Sequence, residues 1–288
     1  MFTIVLVVHL ALPAHDRAFW KGIEKADFAV PPGESPAQLI RELSGYLGST
    51  DRELRDDFAY EIPARWIYQD GRLTPDELRG FLALWQKNLP AGLGERGTDS
   101  VLLRSFSALD LSILAAYDLK RPFMSEEEYR GLLDSALTYL AGEKDVRGYD
   151  EAKGWMHSAA HTADLLKFLA RSPRLQVSDQ GRLVGAIRGK LASSDLFTHG
   201  EDQRLAAALF SLAKRDDFQG ADLQAWVKEL QASEAKLWDA PVFDHALFFS
   251  LENQKNCLRG LAVRLAAAKD LGPEAKGLEE PLLKLGAS

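Results

Sequence analysis

One cysteine, Cys257, stands in 288 residues. That excludes an intramolecular disulfide framework and any Cys-rich zinc or iron–sulfur site. Positive charge is also short: 35 Lys and Arg face 42 Asp and Glu, for a net charge of −7 without a basic block. Such a balance argues against binding to a nucleic-acid phosphate backbone. There is no Gly-rich phosphate loop, no GxSxG elbow, no dinucleotide fingerprint and no Cys–His pairing signal. Period-two alternation is missing outside the N-terminal run, so a sheet is not expected. What is present is ordinary for a globular chain, 46% hydrophobic and 27% charged, which excludes disorder and collagen-like structure.

The N-terminus is a case of its own. Residues 2–12 are almost unbroken apolar, followed by Pro13-Ala14-His15-Asp16. A transmembrane helix needs about 20 residues, so this run does not span a bilayer. It has the length of a secretory h-region, with Ala14 as a small residue at a cleavage site, although no Lys or Arg precedes Arg17. We read residues 1–14 as a signal peptide or an apolar structural segment. The first implies an exported or periplasmic protein, the second allows a cytoplasmic one. Residues 15–288 read as a single all-helical domain.

Helix starts are marked by Ser or Thr with Glu three residues later, which satisfies two orphan amides reciprocally. Thr50/Glu53, Thr74/Glu77 and Ser125/Glu128 fit, and Ser35-Pro36 is a further start. Stops are expected at Gly71, Pro90, Pro122, Gly142, Pro173 and Gly220. Between them the apolar residues recur every three or four, as in Leu78, Phe81, Leu82 and Trp85, or Leu132, Leu133, Ala136, Leu137 and Leu140. This predicts roughly eleven helices with short connections. Successive antiparallel pairs of that size are the unit of an α-solenoid, a HEAT-like α/α superhelix; a compact helical bundle is the alternative.

The densest chemistry lies between Glu143 and Ala170, a charged connection over residues 144–149 leading into a helix on which His157, His161 and Asp164 follow at four and three residues. On a helix they fall within about 60° of one another. Leu165, Leu166, Leu169, Trp155 and Thr162 centre on another side, so the stripe is the polar wall of a groove or a helix–helix contact. Two histidines at i and i+4 plus a carboxylate could ligate zinc or another divalent metal. Ser158 stands where a zinc protease carries its general-base Glu, which argues against that chemistry. A second polar cluster, residues 198–204, opens a helix; Glu201 and Arg204 are the acid/base and anion-stabilising candidates if it neighbours the first. Trp155, Arg104 and Arg147 are groove candidates beside His157, His161 and Asp164; either Arg could be tied to Asp145 or Asp150, because a buried Arg needs a carboxylate. His245, Cys257 and the tryptophans at 20, 66, 85, 226 and 238 are most economically packing residues.

These residues carry a resemblance. Arg104-Ser105-Phe106-Ser107, then residues 143–149, then Gly154-Trp155-Met156-His157 with His161 and Asp164, and finally Gly200-Glu201 with Arg204-Leu205 follow in that order. The chain resembles the bacterial family known as domain of unknown function 2785, over roughly residues 35–215, with departures at Met156 and Thr162. The resemblance implies an all-helical fold and a shared site containing His157, His161, Asp164, Glu201 and Arg204. It implies no activity. Two readings stand: a helical-repeat protein binding a protein, peptide or cell-envelope ligand in the polar groove, or a metal-dependent hydrolase using His157, His161 and Asp164 with Glu201 and Arg204.

Overall fold

Helix follows helix from Arg17 to Lys284 in the computed structural model, which describes residues 15–285. The apolar segment 1–14 lies outside the described residues. The helices are α1 (Arg17–Lys25), α2 (Pro36–Leu43), α3 (residues 53–69), α4 (Pro75–Asn88), α5 (Ser100–Lys120), α6 (Glu126–Gly142), α7 (Ser158–Arg171), α8 (Val177–Leu191), α9 (Glu201–Ala213), α10 (Ala221–Asp239), α11 (His245–Ala267), α12 (Pro273–Lys276) and α13 (Glu279–Lys284). Most of α3 is wound in π-type turns on either side of Glu61–Pro63. Such turns are rare and recur at functional sites.

Local chemistry explains most of the starts. Thr74 with Glu77 and Ser125 with Glu128 form complete capping boxes, and Ser35 caps α2 ahead of Pro36. Each side-chain cap is worth about 1 kcal/mol. At Thr50 the expectation fails: Asp51 takes the role, its Oδ1 accepting from the amides of Glu53 (3.0 Å) and Leu54 (3.3 Å). Gly220 is not a stop but the residue that opens α10.

Long-range packing falls into two interleaved series. Helix α5 packs on α7, α7 on α9 and α9 on α11, while α6 packs on α8 and α8 on α10. One hydrophobic core runs from Trp20 to Leu285 and holds Trp20, Trp66, Trp85, Trp226 and Cys257. Trp238 is the exception among the packing tryptophans, at 62% exposed. Helix α5 is long and apolar enough to cross a membrane, alone among the described residues, but it lies inside the core.

Residues 144–149 form a connection, as expected, but residues 150–157, read from sequence as part of the His helix, are not helical either. A small antiparallel hairpin forms here instead, β1 (Tyr149–Asp150) with β2 (Gly154–Trp155), in which Tyr149 faces Trp155. Asp150 builds the turn by accepting from the amides of Ala152 and Lys153, both at 2.9 Å. Gly154 follows at φ 77°, where a side chain is strained. Two residue pairs are too few for alternation to register in the sequence.

Candidate functional site

The hairpin delivers His157 to the N-terminus of α7. His157 adopts φ 46°, ψ 33° and precedes the first helical residue, so it does not share a helical stripe with His161 and Asp164. Left-handed backbone at a non-glycine residue is uncommon and costs free energy unless its surroundings enforce it. Here the amide of His157 is held by the carbonyls of Arg147 (3.2 Å) and Gly148 (3.3 Å), the continuation of the hairpin ladder.

Even so, the two imidazoles meet, edge to face, with centroids 5.7 Å apart. His157 Nε2 lies 3.1 Å from the carbonyl of His199, which can only accept, so that nitrogen carries the proton. Glu201 Oε1 is 3.5 Å from the same nitrogen. His161 Nδ1 lies 2.8 Å from Ser105 Oγ, whose own proton goes to the carbonyl of Met156. The hydroxyl therefore accepts from His161 Nδ1–H, and the pair is not an activated serine nucleophile. Phe106 stands edge-on to His161 at 4.9 Å and faces the Arg55 guanidinium at 4.6 Å.

Burial pushes His157 below the usual histidine range, with Glu201 pulling it partly back. It pushes His161 well below, assisted by the positive charges of His157, Arg204 and Arg55. Both rings are neutral at pH 7. A neutral buried histidine stabilises the fold above its unfolded pKa of about 6.5, and that contribution is lost as pH falls below it. We expect the urea midpoint to fall between pH 7 and pH 5 and the fall to shrink in His161→Asn. Nitrogen-15 NMR at pH 7 should show His161 as the Nδ1–H tautomer; the Nε2–H form would reverse the hydrogen-bond assignment.

Asp164 takes a different part from the one its spacing suggests. Its Oδ1 accepts from Lys167 at 2.9 Å and its Oδ2 pairs with Arg204. Glu201 folds back over its own helix start, Oε2 accepting from the amide of His199 at 2.9 Å. His157, His161, Asp164, Glu201 and Arg204 thus come together, yet both carboxylates are already engaged. Among the described residues no three His, Cys, Asp or Glu side chains are grouped to hold a metal ion.

The outer wall is aromatic. Trp155, 40% exposed, stacks on His157 at 4.4 Å and meets Tyr149 at 4.9 Å and His199 at 5.9 Å edge-on. Gly148 makes this closeness possible, because a Cβ there would lie 2.4 Å from His199 Nδ1 and 2.6 Å from Glu201 Oε1. Beside it is a hollow of about 430 Å3 lined by Arg96, Asp145, Arg147, Gly148, Tyr149 and His199, among others. Arg147 grips Asp145 there, as its sequence predicts. Arg104 does not line this groove. It is fully buried and forks onto Glu143, 2.7 and 3.1 Å, rather than onto Asp145 or Asp150.

Three groups escaped the sequence reading. Arg55 and Tyr60 come from α3, and Asp110 lies one turn beyond Phe106 on the same face of α5. Burial, together with the charges of Asp110 and Asp164, holds the Tyr60 phenol protonated. The unusual winding of α3 was the only sign of that region's role, and it is invisible before folding.

With this geometry in place, the comparison that decides membership is the match of residues 89–263 to a family described as "Protein of unknown function (DUF2785)". The chain belongs to the DUF2785 family. The DUF2785 match begins later and ends later than the span drawn from the sequence motifs, and takes in α5 to α10 with most of α11, so every residue of the His157/His161 cluster except those of α3 lies within it. No curated protein and no solved structure matches the chain.

Proposed function

We propose that this DUF2785 protein is an α-solenoid that binds an extended peptide or protein segment at the hollow lined by Arg147, Tyr149 and His199, on the side where Trp155 is exposed. Interleaved packing of every second helix on the next supports the solenoid reading. The observation that carries the function is the exposed Trp155 ring, stacked on a buried and hydrogen-bonded His157. An aromatic held rigid by what lies beneath it loses little entropy on contact, and tryptophan and arginine dominate recognition hot spots. Arg204, half-exposed and paired with Asp164 through one of its nitrogens, keeps further N–H groups to serve as a charged anchor.

A metal-dependent hydrolase is the less supported reading. It needs Asp164 as the third ligand and Glu201 as a free acid/base, and Arg204 with Lys167 occupies the first while the His199 amide occupies the second. Export remains part of the proposal, and an envelope protein would then be the natural partner.

Selection from a displayed random-peptide library tests the binding reading. The wild-type protein should enrich a sequence class, and Trp155→Ala should lower affinity for the enriched peptides by about tenfold or more, the loss expected of a hot spot. Circular dichroism should be unchanged, since Trp155 lies in the hairpin, outside the helices. No enrichment by the wild type, or equal binding by the variant, removes this reading.

A further inference from the structure

A second site stands apart from the histidine cluster. The loops after α6 and α8 enclose a hollow of about 220 Å3 lined by Arg96, Glu143, Lys144, Lys190, Ser193 and Asp195, among others. It shares Arg96, Val146 and Asp195 with the larger hollow beside His199.

Lys190, in the last turn of α8, forms its floor at 8% exposure. Its ammonium donates to the carbonyl of Glu143 at 2.5 Å, the one hydrogen bond recorded for its three N–H groups. The local charge is unbalanced. Glu143 is consumed by Arg104, Asp145 by Arg147, and Asp195 by Arg96. Lys144 has no ion-pair partner among the described residues, and the two carboxylates that line the hollow beside the two lysines, Glu143 and Asp195, are both engaged by arginines. In a chain of net charge −7, a buried ammonium with no salt bridge among the described residues, offset only by a Glu143 carboxylate already forked onto Arg104, calls for an explanation.

We propose that this hollow binds a tetrahedral oxyanion, as carried by a phosphate monoester, held between the free N–H groups of Lys190 and the side chain of Lys144. Ser194 and Arg96, the latter paired with Asp195, also line the hollow.

Burial, with Lys144 adding to it and Glu143 opposing it, pushes Lys190 down to about 8. Anion binding requires the ammonium, so affinity should be full at pH 7 and fall as pH rises through that value. Sulfate is the suitable probe, because its charge is constant over the range. Titration calorimetry of the full chain at fixed ionic strength should show one saturable site at pH 7. Affinity should drop about tenfold by pH 9 and in Lys190→Met, while Lys190→Arg should keep binding at pH 9. Lys144→Ala, a surface change that leaves folding intact, should weaken binding at pH 7. Absence of saturable binding at pH 7, or an affinity indifferent to pH and to Lys144→Ala, overturns the proposal.

Discussion

Arg104→Met is expected to cost about 3–5 kcal/mol of folding free energy, the scale for breaking a buried ion pair by removing one partner. Arg104 binds Glu143 through two nitrogens and also donates to the carbonyl of Ala91 (2.8 Å) and to Ser100 Oγ (2.9 Å). It therefore ties the start of α5 to the loop after α4 and to the end of α6. Removing it strands the Glu143 carboxylate, which also accepts from the amide of Asp145 at 2.9 Å. The damage should spread to residues 143–147 and from there to the hairpin that places His157. Glu143→Gln keeps the shape while discharging the pair, and should cost less. Urea unfolding of the two variants gives the comparison; a loss under 1 kcal/mol for Arg104→Met would show that the pair is solvated.

Asp110→Leu should have the opposite sign at pH 7, with a gain on the order of 1–3 kcal/mol, the penalty attached to a buried polar group without a partner. Neither oxygen of Asp110 has a hydrogen bond, and burial alone pushes its carboxyl well above the usual range. The pH dependence follows from that direction. Below about pH 3.9 the folded and unfolded chains both hold the proton, and the carboxyl costs nothing through ionisation. As pH rises toward the folded-state pKa, the unfolded chain sheds its proton more readily and stability is lost. The advantage of the leucine variant should therefore be widest at neutral pH and narrow below pH 4. A variant less stable than wild type at pH 7 would mean that Asp110 has a favourable partner in solution.

How far the sequence reaches depends on how local each feature is. Thr74, Ser125 and Ser35 announce their helices because a cap involves only the next three or four residues. His161, Asp164, Glu201 and Arg204 were found by their chemistry, and the packing of α7 on α9 brings them together. The hairpin was missed because its pairing is set by Asp150 and Gly154 rather than by apolar alternation, and with it went the left-handed His157. Asp110 and Tyr60 belong to helices distant in sequence, and nothing near either of them marks a site. Glu143 was overlooked as the partner of Arg104 because the choice among Glu143, Asp145 and Asp150 is made by the loop's path.

Helix α5 has a consequence during synthesis. By length and composition alone its 21 residues meet the demands of a lipid-spanning segment, and during synthesis it emerges before α7 and α9 exist to cover it. Asp110 stands at the midpoint of Ser100–Lys120, where an aspartate opposes insertion by about 2.5–3.5 kcal/mol, and Arg104 adds a further charge nearer one end. Leucine at 110 would firm the folded protein and also lift that barrier to partitioning. The carboxyl that weakens the finished core thus opposes insertion of the uncovered helix into any bilayer it meets.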